Sequence, residues 1–235
     1  MQLTQDVRRR HIAPDRELDP EDSARLLGAP LLGECRRLLD RYPVSRRGTT
    51  QISVVDALGN LASMTLSNGE GSGYVIPGTG IMFNNMLGEE DLNPRGFQRW
   101  PENRRISSMM APSLLFTSEG RAVATGSGGS NRIRSAILQV LCNLVDFGMT
   151  LNQAVTAPRI HFESGLLNLE PEREPSVLRA LAREFPHQKY WTARNLFFGG
   201  AHSVMRDPSS GLSGIGDPRR GGVCLEVRKE GILRM

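Results

Sequence analysis

Lysine is nearly missing from this sequence, and aromatic residues are sparse. Of 29 basic side chains only Lys189 and Lys229 are lysines, and Phe, Tyr and Trp make up 6% of the 235 residues. The arginines are scattered, and no basic stripe alternates with aromatic rings as single-strand nucleic-acid binders require. The net charge of +4 is therefore not read as a nucleic-acid footprint, and no nucleic-acid partner is expected. Cysteine is scarce too: Cys35, Cys142 and Cys224 lie far apart, with no CxxC spacing. An odd, scattered set excludes a disulfide framework and fits a reducing compartment. His11, His161, His187 and His202 form no HxxxH or HExxH pattern, so neither a metal nor another cofactor is expected. No apolar run is long enough for a membrane span. The start, "MQLTQDVRRRHIAPDRELDP", lacks the apolar stretch of a signal peptide. Taken alone the chain reads as cytoplasmic; a periplasmic or extracellular place would follow if an upstream part carried a signal.

What is present describes an ordinary globule, 39% apolar and 23% charged, of one large domain or one domain with an appendage. Residues 1–48 are polar with short helical periodicity. Leu31, Leu32, Leu38 and Leu39 mark one stripe around Cys35, too little for a core of its own. From Thr50 the pattern turns to strands. Ile52, Val54 and Val55 run into "DALGN", a hairpin signal, and a second strand follows at 61–66. Two more strands flank a turn at 118–120. The segment "NRIRSAILQVLCNLVDFGM" predicts a helix apolar on most of its circumference, with Asn131 or Ser130 as N-cap and Gly148 beyond its end. Shorter helices are expected at 152–156 and 176–184, before strands in "AHSVMRD", "LSGIG" and "GGVCLEVRK". Helices set between antiparallel-looking strands imply a layered α+β fold rather than a doubly wound sheet.

Several stretches can carry chemistry. "GSGGSNR", 126–132, is a Gly-rich bend entering a helix, where free N–H groups suit a phosphate, a carboxylate or a developing oxyanion. It is neither a Walker loop nor a dinucleotide fingerprint. The 67–85 stretch is dense in glycine, as functional loops are. "RISSMMAP" offers the adjacent hydroxyls of Ser107 and Ser108, and "NNMLGEED" offers amides and three acids able to receive an ammonium group. No GxSxG elbow appears. One arrangement uses these parts together. A Thr hydroxyl is a weak nucleophile until a base takes its proton, and cutting the chain before the Thr makes its own α-amine that base. With a reference pKa near 8, such an amine suits general-base work around neutrality. "Gly48-Thr49" fits a cut of this kind, because Gly leaves the scissile carbonyl open.

In order along the chain, "TTQISVVDALGNLASMT", "GTGIMFNN", "RRISSMMAPS", "TGSGGSNRI", "AVTAPRIH" and "GIGDPRRGG" resemble the small, catalytic subunit of γ-glutamyltranspeptidases. The resemblance implies an N-terminal nucleophile hydrolase fold, a four-layer αββα sandwich that is incomplete without the large subunit. It divides the chain into residues 1–48, resembling the end of the large subunit up to the self-cleavage site, and residues 49–235, the catalytic domain. It makes Thr49 the self-cleavage and catalytic nucleophile, with Thr50 and Ser67 beside it. It places the oxyanion hole at Gly128, Gly129 and Ser130, and puts Asn68, Asn85, Glu89, Ser107 and Ser108 at the substrate. Met86 and Glu89 stand where the family usually has Gln and Asp, and the loop after Ser67 is shorter than in glutathione-cleaving members. The implied reaction is hydrolysis or transfer of a γ-glutamyl group, as from glutathione, to water or an amino acid, with a large-subunit chain as heterodimer partner. Two other readings follow from the departures: a non-catalytic remnant or assembly subunit, and an acylase for another amide, as in the cephalosporin acylases.

Overall fold

The computed structural model describes residues 21, 24, 28–31, 33, 48–93, 95–172, 174–228 and 231–234. The chain forms two compact units, Met1–Arg46 and Arg47–Met235. In the first, the described residues are helical apart from Gly28, and Leu31 is buried. The stripe expected around Cys35 lies otherwise outside the described residues.

The second unit is built on strands. β1 (Thr49–Val55) and β2 (Leu61–Ser67) form an antiparallel pair. Asp56 makes the hairpin between them: its Oδ1 accepts from the N–H groups of Leu58 and Asn60, and Gly59 supplies a φ of +88°. This is the turn chemistry that short polar side chains and glycine provide. A separate sheet runs in the order β3 (Ser113–Phe116), β4 (Ala122–Thr125), β8 (Ser203–Asp207), β9 (Gly211–Ile215), antiparallel throughout. On one face of that sheet lie α1 (Arg132–Val145) and α2 (Leu151–Thr156). The core between them joins Val123 and Met205 of the sheet to Val140, Leu144, Leu151 and Val155 of the helices. Across the other face lie β1 and β2. The described residues thus show helices, sheet and second sheet in sequence, a mixed α+β layering that agrees with the expected class.

Three details depart from the sequence reading. The periodicity predicts α1 buried over most of its circumference, but Leu138 and Val145 are exposed while Ile133, Ala136, Ile137, Val140 and Leu144 are buried. Only one stripe meets the sheet. Asn131 does precede α1, yet its side chain makes no cap bond; it reaches Glu163 and Asp91 instead. A hairpin of β5 (Ile160–Glu163) and β6 (Leu166–Leu169) was not expected, nor was β7 (Gln188–Tyr190), which pairs in parallel with β6 after α3 (Pro175–Glu184). Its turn residues, Ser164 and Gly165, both have positive φ, as a tight hairpin requires. A last hairpin joins β10 (Leu225–Arg228) and β11 (Gly231–Arg234).

Polarity in the β1–β2 pair is inverted. The face toward the larger sheet carries Gln51, Ser53, Ser63 and Thr65, joined by hydrogen bonds from Gln51 Nε2 to Ser53 Oγ and Ser63 Oγ at 3.0 and 2.9 Å. Ser63 Oγ donates to Thr125 O, and Ser53 Oγ to His202 O. The other face carries Ile52, Val54, Met64 and Leu66, all 42–50% exposed.

Behind the sheet interface lies a buried quartet of charges. Asp217 accepts from Arg159 Nη2 at 2.7 Å and from Arg219 Nη1 at 3.3 Å, and Glu170 accepts from Arg219 Nη2 at 2.6 Å. The remaining oxygen capacity takes backbone N–H groups of Ala201, Arg219, Arg159 and Asn195. Two positive and two negative groups balance, so no charge is left uncompensated inside.

Burial alone would raise the Asp217 carboxyl, but Arg159 and Arg219 hold it below its ordinary value. Its stabilising share is therefore present above about pH 3.9 and is lost as pH falls through the lowered folded value. Asp217→Ala should cost about 3–5 kcal/mol in denaturant unfolding at neutral pH, since it leaves Arg159 buried and unpaired. Burial also pushes His161 and His202 below their ordinary value. The unfolded chain then binds protons that the folded chain does not, so stability should fall between about pH 7.5 and 5.5. His202→Gln keeps an acceptor for the Asp217 N–H, which now bonds Nδ1 at 3.1 Å, and should flatten that slope in urea titrations.

Candidate active site

Register brings the first pieces together. Thr49 and Ser67 are direct partners across β1 and β2, and their hydroxyls stand 3.0 Å apart. Ser67 Oγ also accepts from the Gly69 N–H, and Gly48 N–H donates to Gly69 O. The start of β1 is thereby tied to the loop that follows β2. Strand alternation sends Thr50 the other way: its side chain is exposed, opposite Leu66, with no hydrogen bond among the described residues. The structure does not bring Thr50 beside the Thr49 hydroxyl.

The Gly-rich bend after β4 packs directly on Thr49. A Cβ on Gly128 would sit 2.8 Å from Thr49 O and 3.1 Å from Thr49 Cβ, so only glycine admits this approach. Gly129 has φ +126° and Ser130 φ +54°, the turned backbone of a nest-like bend. Arg220 also lies against the bend. Its side chain would meet a Cβ on Gly128, Gly129 or Gly200 at 3.3, 3.1 and 2.6 Å. The sequence reading did not single out Arg220, although it stands in the "GDPRRGG" stretch. Asp217 places it, by capping the Arg219 N–H of the 3-10 turn Pro218–Arg220.

Thr49, Ser67, Glu89, Ser108 and Ser130 line one cavity of about 50 Å³. Asp91 joins them, another residue the sequence reading passed over within its run of acids. The Ser130 hydroxyl donates to Asp91 Oδ2, and Asn131 Nδ2 reaches Asp91 Oδ1 at 3.4 Å. The rest of the lining is largely apolar: Met86, Leu92, Met109, Met110 and Ile133. Glu89 Oε1 is buried without a hydrogen-bond partner among the described residues, an acceptor suited to an incoming donor.

Other expected site residues lie outside that lining. Asn85 Oδ1 accepts from the N–H groups of Glu70 and Gly71 at 2.7 and 3.1 Å, which shapes the loop after β2. Asn68 contributes its carbonyl to the same loop, accepting from Gly71 and Asn85. Ser107 is exposed; its neighbour Ser108, which does line the cavity, accepts locally through Oγ from Met110 N–H. Among the described residues no cluster of His, Cys, Asp and Glu is arranged to hold a metal ion. No described helix is long and apolar enough to cross a membrane.

Thr49, at the start of a strand, thus faces a glycine bend of turned backbone. Residues 6–227 match the family model described as gamma-glutamyltranspeptidase. The chain belongs to the γ-glutamyltranspeptidase family. It is 34% identical over 182 residues to the acylase ACY 1 proenzyme of Pseudomonas sp. (strain SE83), covering 76% of this chain and 32% of that one. It is 29% identical over 182 residues to the glutathione hydrolase proenzyme of Bacillus subtilis (strain 168), covering 76% and 31%. The crystal structure of the Bacillus anthracis transpeptidase enzyme CapD superposes with a TM-score of 0.58 at 26% identity, over 74% of this chain and 96% of that one. The chain therefore spans about a third of the length of these two curated relatives.

The glycine contacts give a direct test. Gly128→Ala should cost about 1–3 kcal/mol in urea unfolding, because its Cβ would fall 2.8 Å from the Thr49 carbonyl oxygen, a backbone atom that cannot yield. Gly148→Ala, at φ +60° with nothing within 4 Å, should cost about 1 kcal/mol from backbone strain alone.

Proposed function

We propose that this chain is the catalytic part of an amide hydrolase or acyltransferase with an N-terminal threonine, acting on γ-glutamyl compounds such as glutathione. Cleavage at Gly48–Thr49 begins when the Thr49 hydroxyl attacks the Gly48 carbonyl. The peptide C–N bond breaks, which frees the Thr49 amine and leaves Gly48 as an ester on Oγ1; water then hydrolyses that ester, releasing the Gly48 carboxylate and restoring the Thr49 hydroxyl. In turnover that amine takes the hydroxyl proton as Oγ1 attacks the substrate amide, and returns it to the leaving amine. Backbone N–H groups of the Gly128–Ser130 bend stabilise the oxyanion. One such donor is worth about 3 kcal/mol in other enzymes. Water or an amino acid then resolves the acyl-enzyme. Ser67 holds the hydroxyl, while Glu89 and Asp91 receive the substrate's ammonium group. Asn68 and Asn85 hold the loop beside the cavity, Ser107 stands exposed next to Ser108, and Thr50, on the other face of β1, takes no part at the Thr49 hydroxyl.

The observation that carries this reading is the contact of Thr49 with both Ser67 Oγ, at 3.0 Å, and the Gly128 backbone. We place residues 1–48 as the segment removed from the catalytic domain. A large-subunit chain is the proposed partner, and the exposed apolar face of β1 and β2 supports it by offering a surface for the fourth layer of an αββα sandwich. A second reading, an acylase for a less polar amide, draws on the Met86, Met109 and Met110 lining and on the 34% identity to an acylase.

Mass spectrometry of protein co-expressed with the large-subunit chain should find a new N-terminus at Thr49, and Thr49→Ala should stay intact. A γ-glutamyl anilide should then be hydrolysed by the cut protein only, with a rate rising toward about pH 8 as the amine loses its proton. A wild-type chain that remains whole under these conditions rules the enzyme out and leaves the remnant reading. A cut chain that ignores γ-glutamyl anilide but hydrolyses an adipyl or glutaryl amide selects the acylase.

A further inference from the structure

Beside the reaction cavity lies a second one of about 350 Å³, within the size range of small-molecule sites, roughly 300–1,000 Å³. Arg95, Arg99, Arg104 and Arg105 all line it, together with Trp100 and Asn93, and no acidic side chain does. Glu102 belongs to the same loop but forms no ion pair with them. Among the described residues, none of the four guanidinium groups has a carboxylate partner. Four like charges around one concavity repel each other, and an anion entering it relieves that repulsion while accepting charge-assisted, bidentate hydrogen bonds.

Two wall residues are anchored, and the four arginines are exposed. Asn93 is 5% exposed, and its Nδ2 donates to Leu87 O and Glu89 O at 3.0 and 2.6 Å. Trp100 Nε1 donates to Leu92 O at 3.1 Å. These three bonds anchor the arginine-bearing loop to the 87–92 stretch, whose Glu89, Asp91 and Leu92 line the first cavity. The first cavity has acids and apolar side chains, and the second has arginines and an indole. Their chemistry is opposite, so one ligand group does not suit both.

We propose that the second cavity is an anion-binding site for a small molecule with at least two negative charges, either a phosphate group or a polycarboxylate. The site is independent of the Thr49 chemistry.

Isothermal titration of the full 235-residue chain with inorganic phosphate and with citrate, at constant ionic strength set by chloride, tests this. Saturable binding of either anion is expected, and the tighter one identifies the ligand class. Arg99→Ala/Arg104→Ala should weaken it by about tenfold or more, and Arg99→Lys/Arg104→Lys should fall between, since lysine keeps the charge and loses the fork. Circular dichroism checks that both variants are folded, and Thr49→Ala should bind as wild type does. Heats no larger than those of chloride, equal affinity in the alanine pair, or loss of binding in Thr49→Ala would each overturn the proposal.

Discussion

Everything near Thr49 depends on a carboxylate that never meets solvent. Asp217 is wholly buried, and its two oxygens bind Arg159, Arg219 and two backbone N–H groups at once. A charge in that position is tolerable only when fully paired. Pairing it fixes the 3-10 turn at Pro218–Arg220, and that turn directs Arg220 against Gly128 and Gly129. Gly128 in turn packs directly on Thr49. The same quartet grips the end of α2 through Val155 O and Ala157 O, and the 195–201 loop through Asn195, Phe198 and Ala201. Four segments distant in sequence are thereby held by three ion pairs and their hydrogen bonds.

What the sequence disclosed follows from how local each signal is. "DALGN" announces its hairpin because the Asp56 and Gly59 turn chemistry lies within five residues. The Gly48-Thr49 step and the 126–130 bend are legible as chemical types, and family resemblance joins them. The β5–β6 hairpin stayed hidden because "IHFESGLLNL" lacks strict alternation, with Leu167, Asn168 and Leu169 all buried. The capping box between Thr150 and Gln153, which starts α2, was visible in principle as T-x-x-Q but was not used. Asp91 and Arg220 could not be read locally. Their importance comes from contacts spanning 39 residues to Ser130 and from a glycine cradle drawn from two distant loops.

Thr50 shows the same limit from the other side. Resemblance pairs it with Thr49, but a strand turns successive side chains to opposite faces, and proximity in sequence does not become proximity at the hydroxyl. Asn85 is similar: its carboxamide is occupied by the N–H groups of Glu70 and Gly71. It shapes the loop beside the cavity rather than lining it. Position within a motif and position within a cavity are separate properties, and only the folded chain distinguishes them.

The polar seam of Gln51, Ser53, Ser63 and Thr65 has a consequence beyond holding two sheets together. Slipping β2 by one residue against β1 would exchange its faces, burying Met64 against hydroxyls and sending Ser63 and Thr65 outward. Ser67 would move off Thr49 in the same step. The seam therefore acts as a ruler: four side chains outside the cavity measure out which hydroxyl stands opposite Thr49. Loss of function by mutation can then begin in the middle of the hairpin, with each residue around the cavity still intact.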